Sequence, residues 1–115
     1  MIAELATEFH NAHKGNCAQS VAFAFAIANG KPEAEALEIA AKMKAYGGGH
    51  APGGTCGALY AAKLFAPEFS GKIEELFKAG ASGKTLCREI RPAAIIPCNR
   101  CVELAGEALD QVLGF

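Results

Sequence analysis

Apolar and polar residues alternate along most of the chain with the period of an α-helix. In the first segment, residues 2–13, Ile2, Leu5 and Phe9 share one face and acidic residues lie elsewhere. Gly15 follows this segment and is a typical helix stop. The pattern therefore predicts an amphipathic helix at the start of the chain.

The second segment has a more ambiguous pattern. Val21, Phe23 and Phe25 alternate with alanines, which is the period of a strand. Alanine is a poor strand former, however, and the run extends from a helix-capping Asn16 to Asn29 and the glycine after it. We therefore predict a buried helix here.

The remaining segments are also helical in pattern and are separated by glycine and proline. They cover residues 32–46, 55–65, a short helix from Ser70, residues 85–91 and residues 98–113, with Thr55 and Ser70 as predicted N-caps. The glycine-rich stretch 47–54 is predicted to be a loop. We therefore expect one all-α domain over residues 1–115, a compact bundle of six or seven short helices.

Composition narrows the classes of function. The chain has 115 residues, is 51% hydrophobic and has a net charge of -1, with Lys and Arg interleaved with Glu, so no nucleic-acid-binding surface is predicted. The longest apolar run, residues 21–28, is far shorter than the roughly 20 residues needed to cross a bilayer. The N-terminus is acidic and lacks a continuous apolar stretch, so we expect a cytoplasmic protein without membrane association.

Cysteine is the residue type that points to chemistry. Cys17, Cys56, Cys87 and Cys101 each fall in the predicted first turn of a helix. The amides of a first turn have no intrahelical acceptor and lie at the positive end of the helix dipole, which favours the thiolate. In a reducing cytoplasm such cysteines are more typical of ligands or redox thiols than of structural bridges. All four are predicted site residues.

Spacing leaves the kind of chemistry open. Four thiols suit an iron–sulfur cluster or a zinc ion, but intervals of 39, 31 and 14 residues match no ferredoxin or zinc-ribbon pattern. Val102, rather than histidine, follows the Cys98-Asn-Arg-Cys101 segment, so no c-type haem is expected. A Cys-x-x-Cys at a helix start is also the arrangement used in thiol–disulfide exchange.

Four auxiliary positions accompany these cysteines. Gly48 and Gly49, in the glycine loop, could supply backbone amides to cluster sulfurs. His50 follows them and is a candidate proton donor or spare ligand. Cys98 lies one helical turn before Cys101 and is an alternative fourth ligand.

The order of these motifs resembles the redox-active family named C_GCAxxG_C_C. The segments that carry the resemblance are Asn16-Cys17-Ala18-Gln19, the glycines at 47–49, Gly54-Thr55-Cys56-Gly57-Ala58, Cys87-Arg88-Glu89 and Cys101. One position departs from the family motif, since Ala61 stands where the second glycine is expected. The resemblance implies redox chemistry on an unknown substrate, and distant relatives of the family, the split-Soret cytochromes, hold haem and an iron–sulfur cluster.

Together these features predict an electron carrier or oxidoreductase in which Cys17, Cys56, Cys87 and Cys101 converge to bind an iron–sulfur cluster. Two alternatives stay open: metal-free thiol–disulfide exchange through Cys98 and Cys101, and a zinc-stapled binding module. The redox partner is not identified by the sequence. Small apolar residues on the helix after Cys56 also suit packing of a homodimer.

Overall fold

The computed structural model describes residues 1–47, 50–90 and 98–115, with the backbone alone for residues 87, 88 and 98. Seven α-helices occupy these ranges: α1 (Ile2–Asn11), α2 (Cys17–Ala28), α3 (Glu33–Ala41), α4 (Gly57–Phe65), α5 (Ser70–Gly80), α6 (Cys87–Ile90) and α7 (Cys98–Leu113). Short 3-10 turns cover Lys44–Tyr46, Pro52–Gly54 and Pro67–Phe69. Within these ranges, extended pairing is limited to one bridge between Thr55 and Leu86. The predicted all-α bundle is confirmed.

Helix α2 lies at the centre of the bundle and packs against α1, α3, α4 and α7. Its alanines Ala18, Ala22 and Ala24 are fully buried, and so is Val21 between them. Small side chains on one helix let neighbouring helices approach closely from several sides. The alanines that alternate with larger residues in the sequence therefore mark a helix surrounded by other helices, and not a strand.

Helices α1 and α7 are joined by close packing and by a cap. A β-carbon at Gly106 would lie 2.5 Å from the Cα atom of Ala3, so glycine is required for this contact. The Asp110 carboxylate accepts hydrogen bonds from the amides of Ile2 at 2.7 Å and Ala3 at 3.1 Å. Because the first amides of a helix lack intrahelical acceptors, Asp110 supplies from α7 the cap that α1 lacks.

Several predicted boundaries were wrong in detail. The helix predicted over residues 32–46 ends at Ala41 and is followed by the 3-10 turn at 44–46. Thr55 is not the cap of α4: its hydroxyl donates to the carbonyl of Pro52 at 3.2 Å, and Cys56 occupies the N-cap position. Ser70 is likewise inside α5, because the preceding 3-10 turn runs directly into that helix.

The helices in the described part of the chain are short relative to the thickness of a bilayer. The longest of them, α7, has 16 residues and several charged side chains. None of the helices in the described ranges combines the length and the apolar character that a membrane span requires.

Candidate cysteine site

Cys17 is the first residue of α2, and its position is set by a capping box. The Asn16 side chain accepts a hydrogen bond from the Gln19 amide at 2.9 Å, and the Gln19 side chain accepts one from the Asn16 amide at 2.9 Å. Asn16 also donates to the carbonyl of Lys44 at 2.9 Å. The start of α2 is therefore fixed to the segment that precedes the glycine loop.

The start of α4 lies directly against Cys17 because Gly57 has no side chain. A β-carbon at Gly57 would come within 2.8 Å of Cys17 Sγ and 2.6 Å of the Tyr46 carbonyl oxygen. Carbon atoms in real side chains do not approach other atoms this closely. Gly57 is thus the position that lets the first turns of α2 and α4 touch.

Cys56, the N-cap residue of α4, is fixed by contacts with the segment before α6. Its backbone amide donates to the Thr85 carbonyl at 2.8 Å. The residues next in sequence, Thr55 and Leu86, form the single β-bridge. This pairing ties the residues just before α6, which begins at Cys87, to the residues that lead into α4.

Three of the predicted cysteines are linked through Cys56. The Cys56 thiol forms hydrogen bonds with the thiols of both Cys17 and Cys101. Cys101 comes from the first turn of α7, so each sulfur is supplied by a different helix. Cys56 and Cys101 are 5% and 3% exposed, whereas Cys17 is half-buried. We call this group the three-cysteine site; Cys56 is its central member.

The surroundings of Cys56 favour its protonated form. The hydrogen bond with Cys101 is the largest influence, and together with burial and charge repulsion from the Cys101 sulfur it raises the pKa of Cys56 to about 12. The hydrogen bond with Cys17 and, more weakly, the Leu59 amide act in the opposite direction. Without a cation to neutralise it, Cys56 therefore stays a thiol at neutral pH.

Two histidines and one arginine have contacts of their own. His50 Nδ1 is 2.9 Å from the carbonyl oxygen of Gly47, and the ring itself is exposed. His10 is hydrogen-bonded to Asn99. Arg100, next to Cys101, forms ion pairs with Glu103 and Glu107.

Not every predicted site residue can be placed. Gly48 and Gly49 lie outside the described residues, as do the side chains of Cys87 and Cys98. Among the side chains that are described, no three His, Cys, Asp or Glu donors are arranged to hold a metal ion. The described part of the site is therefore a set of contacting thiols rather than a complete metal site.

Two tyrosines beside the site were not predicted. The rings of Tyr46 and Tyr60 lie 5.0 Å apart between centroids, and both are half-buried. The Tyr46 carbonyl faces Gly57, and the Tyr60 amide donates to the Cys56 carbonyl at 2.9 Å. Helical spacing predicts that Tyr60 lies one turn after Cys56. Its partner Tyr46 belongs to the 3-10 turn at 44–46, and no pattern in the sequence indicates that the two rings meet.

Comparison with known proteins yields no relative. No family model matches the sequence, no curated protein is similar to it, and no solved structure matches the fold.

Proposed function

We propose that the protein is a redox protein whose three-cysteine site binds an iron–sulfur cluster, with Cys17, Cys56 and Cys101 as thiolate ligands. The observation that carries this proposal is the position of the Cys56 thiol, which is hydrogen-bonded on both sides to thiols from two other helices. The sequence resemblance to a redox-active cysteine family adds support. The cluster would supply one-electron transfer.

The chemistry of the donors fits such a cluster. All three are sulfurs, the ligand type that iron–sulfur clusters take, and two of them are shielded from water. Three neighbouring thiolates would repel one another, so they ionise together only where bound cations offset their charge. The hydrogen bond with Cys101, burial and, more weakly, this repulsion raise the pKa of Cys56 in the metal-free protein, and cluster binding would release its proton.

A fourth ligand is also part of the proposal. We assign it to Cys87, because Thr85 and Leu86, the two residues directly before it, contact Cys56 and Thr55 at the start of α4. The described thiols do not form a complete metal site by themselves, so this fourth ligand is what completes it.

Dithiol–disulfide exchange is the second candidate function, and a specific observation favours it. Cys56 already touches two other thiols, so an internal disulfide requires little movement of the backbone. The zinc-stapled binding module is the third candidate and is separated from the others by metal content.

The test is anaerobic purification followed by measurement of iron, acid-labile sulfide, zinc and visible absorption. We expect iron and sulfide in equal amounts, with a visible band that disappears in Cys56→Ser while the helical circular dichroism remains. Stoichiometric zinc without iron would instead establish the binding module. Neither metal, together with a reversible disulfide, would establish the exchange mechanism and reject the cluster.

A further inference from the structure

The three cysteines differ in their access to solvent. Cys17 is half-buried at the start of α2, whereas Cys56 and Cys101 are only 5% and 3% exposed. Cys56 touches both of the others. Within this group, therefore, Cys17 is the residue most open to solvent, and Cys56 is its more deeply buried neighbour.

We propose that, in the metal-free protein, Cys17 attacks an external disulfide and Cys56 resolves the resulting mixed disulfide, while Cys101 remains a thiol. This inference rests on the proposed three-cysteine site and deepens its exchange function. It replaces the Cys98 and Cys101 pair predicted from the sequence with a pair from two different helices.

The reaction has two balanced steps. Cys17, as thiolate, attacks one sulfur of an external disulfide R–S–S–R. A bond between Cys17 Sγ and that sulfur forms while the external S–S bond breaks. RS⁻ leaves with the electron pair of the broken bond and takes up the proton lost by Cys17. The Cys56 sulfur then attacks Cys17 Sγ, and the second RS⁻ leaves and takes up the proton lost by Cys56. Two protein thiols are oxidised to one disulfide, and the external disulfide is reduced to two thiols.

Gly57 is the reason that the second step needs little movement. Its missing side chain leaves Cys17 Sγ in contact with the first turn of α4, the helix capped by Cys56. The attacking sulfur and its resolving partner are thus held together by the packing of two helix starts. Cys101 is only 3% exposed and is less accessible to an external disulfide than Cys17.

The sequence makes the reaction easy to map. Trypsin cleaves after lysine and arginine except before proline, which places each cysteine on its own peptide. Cys17 falls on residues 15–42, Cys56 on 45–63, Cys87 on 85–88, Cys98 on 89–100 and Cys101 on 101–115. Mass spectrometry of a non-reducing digest therefore identifies every adduct and every cross-link.

The probe is oxidised glutathione added to reduced, chelator-treated full-length protein. In wild-type protein whose reaction is quenched early, we expect glutathione on the 15–42 peptide. In samples quenched later, we expect a cross-link between the 15–42 and 45–63 peptides. In Cys56→Ser the adduct on 15–42 should persist, and in wild type the 101–115 peptide should carry a free thiol throughout. The early wild-type sample tests the order of events even where a variant does not fold.

Other outcomes overturn the inference. A first adduct on any other peptide would exclude Cys17 as the attacking thiol. A cross-link between 89–100 and 101–115 would restore the Cys98 and Cys101 mechanism. Because iron content is measured on separate, untreated protein, failure of this inference is distinguishable from failure of the proposed cluster.

Discussion

A β-carbon at Gly57 would lie 2.8 Å from the sulfur of Cys17, so the starts of α2 and α4 meet without a side chain between them. The Tyr46 carbonyl oxygen closes the same space from the other side, at 2.6 Å from that position. One of these groups must move if any residue other than glycine stands there. The geometry of the three-cysteine site therefore depends on a residue that carries no chemistry of its own.

Gly57→Ala should disturb the site more than the fold. We expect the free energy of unfolding to fall by about 1–3 kcal/mol, the usual cost of overpacking a well-packed contact. Displacement of Cys17 from Cys56 should also reduce bound iron, or slow formation of the Cys17–Cys56 cross-link. Chemical denaturation and metal content check the two effects.

Gly71→Ala is the matched control. Gly71 lies inside α5, and a β-carbon there would meet no atom within 4 Å. Alanine is the better helix former, so this variant should gain roughly 0.5–1 kcal/mol and keep its metal content. Equal metal content in both variants would contradict the role assigned to Gly57.

Asn16 should contribute to stability through two separable interactions. Asn16→Ala removes the cap of α2 and the hydrogen bond to the Lys44 carbonyl, and should cost about 1–2 kcal/mol of unfolding free energy. Asn16→Asp keeps an oxygen for the Gln19 amide but loses the donor to Lys44. Urea denaturation should therefore place the Asp variant between wild type and the Ala variant. An Ala variant as stable as wild type would show that the capping box contributes nothing.

The helical fold could be predicted because its signals are local. Period, caps and glycine or proline stops identify most helices, and α7 has the predicted bounds, Cys98–Leu113. The predicted caps at Thr55 and Ser70 were wrong, although both side chains are of a capping type. The Thr55 hydroxyl donates to the Pro52 carbonyl instead, and Ser70 already belongs to α5. A local pattern therefore predicts the presence of a helix more readily than it predicts the residue at which the helix begins.

The site was predictable only as a set of helix starts. First-turn placement identifies Cys17, Cys56 and Cys101 from the sequence, but not that Cys56 lies between the other two. That order depends on how α2, α4 and α7 pack, and on the contact that Gly57 allows. No spacing rule contains this information, because the ligands come from different helices separated by long stretches of chain.

The stability of the metal-free protein should depend on the ionisation of Cys56. Its pKa is raised from 9.0 to about 12 in the folded chain, so folding favours the protonated thiol. The corresponding stabilisation is complete below pH 9 and is lost as the pH rises from 9 to 12. Three pKa units correspond to a loss on the order of 4 kcal/mol.

Cys56→Ser removes this effect, because serine does not ionise in that range. Anaerobic denaturation at several pH values should show wild type losing stability relative to the variant above pH 9. A difference between the two proteins that stays constant from pH 8 to 11 would mean that the Cys56 thiol is not held protonated by its neighbours.

Cys98 and Cys101 should respond differently to replacement, although both belong to the first turn of α7. Cys101 is 3% exposed and in contact with Cys56, so Cys101→Ser removes a proposed ligand and should abolish iron binding. Cys98→Ser should leave most of the iron in place, and it serves as the matched control. Iron, zinc and thiol titration of both variants provide the measurement. Loss of iron in Cys98→Ser, with Cys101→Ser unaffected, would make Cys98 the ligand instead of Cys101. Equal loss of redox activity in metal-free samples of both variants would restore the Cys-x-x-Cys mechanism.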